Sequence, residues 1–87
     1  MTIKYEFTGD LLLPITHNNG YEQDLACSIL GDLFPSYLEV EDFINVGELL
    51  AVRFITVTEG SNSETVLELI LDKLQGYQVD NYTIKAI

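Results

Sequence analysis

The 87-residue chain has one cysteine, one histidine, two prolines and only four basic residues, and each shortage removes a class of protein. A lone cysteine forms no internal disulfide and a lone histidine builds no zinc site, so neither metal nor disulfide is expected to hold the fold and packing must do so. Four Lys and Arg against 14 Asp and Glu give a net charge of −10, which argues against a direct grip on a phosphate backbone. Apolar runs such as Leu11-Leu12-Leu13 and Leu69-Ile70-Leu71 fall far short of the ~20 residues of a membrane helix. The start, Met1 to Phe7, alternates apolar and polar residues where a signal peptide would place a basic segment and a long apolar run. The expectation is a soluble cytoplasmic protein. What remains is 47% hydrophobic with a mean hydropathy of +0.17, enough to bury a core, at a length that suits one domain over residues 1–87.

Periodicity divides the chain into six elements. Ile3, Tyr5 and Phe7 face one way and Lys4, Glu6 and Thr8 the other, the period-2 pattern of a half-buried strand. Leu25, Ala26, Ile29, Leu30 and Leu33 recur at helical spacing behind Glu22 and Asp24, which predicts a helix over 21–33 stopped by Pro35. Two β-rich runs, Tyr37 to Ile44 and Glu48 to Thr58, flank a turn at Asn45-Val46-Gly47 and predict an antiparallel hairpin. Ser61 or Ser63 as N-cap, with Glu64 at the capping-box distance from Ser61, opens a second helix over 62–75. Its apolar stripe is Leu67, Ile70, Leu71 and Leu74, and Gly76 ends it. Tyr82, Ile84 and Ala86 then alternate with Thr83, Lys85 and Ile87 in a last strand. The order βαββαβ predicts a ferredoxin-like α+β fold, a four-stranded antiparallel sheet with both helices on one face and strands one and three central. Leu11 to Ile15 either extend strand one past a bulge at Gly9-Asp10 or form an extra hairpin arm.

Catalytic chemistry finds little support. His17 sits among asparagines with no nucleophile at a recognisable spacing, and Cys27 has no basic neighbour in sequence to lower its pKa. Asn18-Asn19-Gly20-Tyr21 holds a single glycine, too few for a phosphate loop, and no twelve-residue window carries the acid pattern of a calcium loop. Glu39 and Glu41 share a strand face beside Asp42, yet edge-strand protection accounts for them more simply than a divalent cation. No catalytic residue, cofactor or metal is assigned, and the protein is read as a non-enzyme.

Charge placement is the main functional lead. Glu64, Glu68 and Asp72 stand at i, i+4 and i+8 on helix two, ~6 Å apart, a spacing comparable to the phosphates of a nucleic-acid strand. Lys4, Arg53 and Lys85 are expected on the open sheet face among Glu6, Glu39 and Glu41, which leaves the helical side strongly negative. Such a field steers a partner with a basic surface. Glu64, Glu68 and Asp72 are the expected partner contacts, supported by Glu22, Asp24 and Asp32 of helix one; the bland alternative is a solvated face. In size, charge and lack of catalytic groups the chain resembles phage-encoded inhibitors, including anti-CRISPR and anti-restriction proteins, which implies an inhibitor occupying a nucleic-acid groove of another protein. Leu11, Leu13 and Ile15 supply apolar surface for a homodimer contact, or close one end of the core.

A different class is suggested by the stretch Val40-Glu41-Asp42-Phe43-Ile44-Asn45-Val46-Gly47-Glu48-Leu49-Leu50 and the ending Val79-Asp80-Asn81-Tyr82-Thr83-Ile84. With the order of elements from Gly20 onward, these resemble the small S subunit of formylglycinamide ribonucleotide amidotransferase. Thr16 to Gly20 stand in place of that family's Asp-Pro-x-Gly loop, and Gln75 to Val79 in place of its Asn-Pro-Val turn. The resemblance implies an assembly subunit of a larger metabolic enzyme, without catalysis by this chain.

Overall fold

A computed structural model describes residues 2–15 and 21–87. Its elements are β1 (Ile3–Pro14), α1 (Tyr21–Leu33), β2 (Glu39–Val46), β3 (Leu49–Gly60), α2 (Ser63–Lys73) and β4 (Gln78–Ala86). The four strands form one antiparallel sheet in the order β2-β3-β1-β4, so the chain is an α+β protein with β1 and β3 central.

Strand β1 continues without interruption to Pro14, and its register with β3 runs unbroken from Ile3 opposite Gly60 to Pro14 opposite Leu49. An even spacing keeps Tyr5, Phe7, Gly9, Leu11 and Leu13 on one face, where all five are buried. The irregularity expected at Gly9-Asp10 lies on the neighbouring strand: between the pairs Thr8–Thr83 and Asp10–Asp80, β4 has two residues, Asn81 and Tyr82, against the single Gly9 of β1, and Asn81 has a φ of 51°. The bulge keeps both Ile84 and Val79 against the core, which an even alternation could not do. The hairpin between β2 and β3 turns at Gly47 and Glu48, one step later than expected, because Val46 already pairs with Leu49. Gly47 takes a φ of 62°, the first central position of a II′ turn, and only glycine adopts it without strain.

Both helices bury into one cluster with the sheet. Ala26 and Leu30 of α1, with Val66 and Ile70 of α2 and the adjoining Leu74, meet Phe7, Leu11, Val52 and Phe54. Val66 takes the centre of the α2 stripe, while Leu67 and Leu71 are only partly buried. Four rings run through this layer, Tyr82 to Phe7 to Phe54 to Phe34, each 5.8 Å from the next. Gly9 makes room for them, since a Cβ there would lie 3.0 Å from Phe7 Cε1 and 3.2 Å from Tyr82 Cβ. The N-cap of α2 is Asn62, not a serine: its Oδ1 accepts from the Thr65 amide at 2.9 Å and its extended backbone leads into the first turn.

Candidate functional site

Helix α2 projects Glu64, Glu68 and Asp72 to solvent along one line, opposite Val66, Ile70 and Leu74. None of the three joins an ion pair among the described residues, where the two salt bridges are Arg53–Asp10 and Lys85–Glu6. Lys73, next to Asp72 in sequence, is turned the other way. Its Nζ donates to the Leu33 carbonyl at 3.4 Å and lies 5.6 Å from the Phe34 ring centroid, so the one cation of α2 ties the two helices together and leaves the stripe uncompensated.

On α1 the acids divide. Asp24 and Asp32 are exposed, but Glu22 is only 4% exposed, because the face that carries Ala26 and Leu30 inward carries the residue one turn earlier with it. Glu22 is therefore not a surface contact. Leu11 and Leu13 are likewise core residues, at 0% and 8% exposure, and Ile15 packs against that core, so these three side chains close the core and are not themselves the contact with a second copy. His17 and the rest of residues 16–20 lie outside the described residues.

The face of the sheet away from the helices is ordered in cross-strand rows. One row reads Asp42–Arg53–Asp10–Asp80, from β2 through β3 and β1 to β4. Arg53 Nε donates to Asp10 Oδ1 at 3.0 Å and its Nη2 reaches Oδ2 at 3.3 Å, a two-pronged contact to which Asn81 Nδ2 adds a third donor at 3.1 Å. Asp10 is thereby satisfied at 8% exposure, and its bond to Asn81 pins the bulge. Lys85 meets Glu6 at 3.4 Å in the usual manner of an exposed pair. Sequence spacing put Glu41 with Glu39 on this face, but the β2 register shifts between Val40 and Asp42, and Asp42 becomes the residue opposite Arg53. No group of three potential metal ligands gathers among the described residues.

A groove of about 650 Å³ lies where β3 extends beyond the start of β2, lined by Phe34, Tyr37, Val57, Lys4, Glu59 and Lys73 among others. Thr56 Oγ1 donates to the Tyr37 carbonyl at 2.8 Å and holds the α1–β2 connection along its rim. The Tyr37 hydroxyl donates to Glu39 Oε2 at 3.3 Å, and the negative charge of Glu39 together with that bond raises the phenol pKa above 10.0. Cys27 is exposed on α1. Mixed charges and ordinary hydrogen bonds line the groove, and its described residues bring no nucleophile, base and orienting group together.

Neither a protein-family model nor a curated protein sequence matches the chain. Among solved structures it is similar to one titled "De novo designed protein Foldit4", at 10% identity and a TM-score of 0.43 over 98% of this chain and 97% of that one. A likeness at that level carries no functional argument. The fold and its surface define an acidic α+β protein, and no helix among the described residues is long and apolar enough to cross a membrane.

Proposed function

We propose that the protein is a non-enzymatic binding module whose α2 stripe occupies a basic surface of another protein, in the manner of an inhibitor that takes the place of nucleic acid. The observation that supports it is the separation of charge. Glu64, Glu68 and Asp72 are exposed and unpaired on one helix line, while Lys4, Arg53 and Lys85 lie in the rows of the opposite face and Lys73 is drawn over Phe34. A carboxylate line without local cations keeps its full field for a partner and has no internal ion pair to break on binding. Asp24 and Asp32 extend the acidic surface on α1. We also read the fold as ferredoxin-like: from its other edge the sheet runs β4-β1-β3-β2, and the order βαββαβ with both helices in one core supports that reading.

Replacing Glu64, Glu68 and Asp72 together by lysine tests the proposal. All three are exposed, so the fold should survive, and binding to the partner should be lost, with the salt dependence of the wild-type interaction weakened in step. Undiminished binding by the triple variant would refute the role of α2. Persistence of a metabolic enzyme complex at high salt would instead favour the assembly-subunit reading.

A further inference from the structure

We propose that the open sheet face is the contact between two copies of this chain. Two adjacent rows at the hairpin end are apolar, Val46–Leu49–Pro14 and Ile44–Ala51–Leu12, and Ile44 and Val46 are 50% and 56% exposed with nothing above them among the described residues. Beyond the Asp42–Arg53–Asp10–Asp80 row, Ile55 and Val57 continue apolar surface along β3 on the same face.

Area and charge together select a second copy as the occupant. Strands of 12, 8, 12 and 9 residues at ~3.3 Å per residue and ~4.8 Å spacing present on the order of 600 Å² in projection, and side-chain relief brings this towards the ~800 Å² that each partner commonly buries in a stable pair. The rows hold six carboxylates (Glu6, Asp10, Glu39, Asp42, Glu59, Asp80) and three cations (Lys4, Arg53, Lys85), a net of −3, so −7 of the chain's −10 lies elsewhere. Two of the three cations already hold a carboxylate within the face. With −3 against the −7 of the rest of the chain, and with Ile44 and Val46 exposed on it, this face meets its own copy with less repulsion than the helical side would. Pairing through it leaves both α2 stripes pointing outward on opposite sides of the dimer.

Sedimentation equilibrium of the full chain, from about 10 to 200 μM at 50 mM and 500 mM NaCl, tests this. The expected mass at the upper concentrations is twice the 9.8 kDa of the chain, with the dimer tightening as salt screens two like-charged copies. Ile44→Thr with Val46→Thr retains β-branching at two exposed edge positions, and should raise the dimer dissociation constant at least tenfold with an unchanged circular dichroism spectrum. The lysine triple variant of α2 should dimerise as the wild type does, so a failure of the α2 proposal leaves this one standing. A mass of 9.8 kDa under every wild-type condition, a dimer indifferent to the threonine changes in a folded variant, or one lost in the α2 variant would each overturn it.

Discussion

Replacing Asp10 and Arg53 singly and together isolates the ion pair of the open face that is partly withdrawn from water. The Asp10 side chain is 12% exposed and that of Arg53 39%, so the pair falls between a surface bridge, worth about 0.2–1 kcal/mol, and a buried charged hydrogen bond, worth about 1.5–3 kcal/mol. Its two-pronged geometry, at 3.0 and 3.3 Å, argues for a coupling near ~1.5 kcal/mol. Asp10→Asn keeps an oxygen for Asn81 and should cost about 1–2 kcal/mol. Arg53→Met should cost more, about 2–3 kcal/mol, because it leaves Asp42, Asp10 and Asp80 as three carboxylates in one row on strands ~4.8 Å apart. Salt should recover part of the second loss and little of the first. Urea unfolding followed by circular dichroism gives the four stabilities of the cycle, and ~1.5 kcal/mol corresponds to about 6–12 °C in Tm for a chain of this size. Stabilities that add to within ~0.3 kcal/mol would refute the assigned coupling, and a smaller loss for Arg53→Met than for Asp10→Asn would refute the view of the row as an acidic ladder held by one cation.

Three further outcomes follow from the packing. A Cβ at Gly60 would overlap Val66 Cγ2, which is fully buried and stiff about χ1, so Gly60→Ala should destabilise by about 1–2 kcal/mol even after its gain through the unfolded chain, and Val66→Ala should relieve most of that in a thermal-melt cycle. Asn62→Ala removes the side-chain acceptor of the Thr65 amide and should cost ~1 kcal/mol, whereas Ser61→Ala should be silent in the same melts. The Tyr37 phenol should titrate above 10.0 by ultraviolet absorbance and move back towards that value in Glu39→Gln; because its pKa is raised by folding, its contribution to stability is present below the unfolded value and is lost as pH rises through the folded one.

The parts of the fold that were legible in the sequence are those fixed by local repetition. Helix α1 has its expected limits because apolar spacing and Pro35 both act within a few residues, and the hairpin and order of elements follow from similarly local signals. Register is not local. The shift between Val40 and Asp42 exchanges Asp42 for Glu41 opposite Arg53, and the bulge at Asn81 lets β4 bury both Val79 and Ile84; each depends on what the neighbouring strand presents. Ser61 had the spacing of a capping box, but the sharp exit from β3 at Gly60 brings Asn62 to the cap. The acidic line of α2 was visible because three residues at i, i+4 and i+8 share a face whatever the helix packs upon. Glu22 was misplaced for the complementary reason: its burial depends on how α1 is rotated over the sheet, which its own acids do not set.

Affinity capture from the native host lysate, with the wild-type chain and the Glu64, Glu68, Asp72 lysine variant side by side at low and high salt, tests the central claim most directly. The account predicts a nucleic-acid-binding protein that is retained by the wild type at low salt, released as salt rises, and absent from the variant. The same partner retained equally by both chains, or one that persists at high salt, would contradict it.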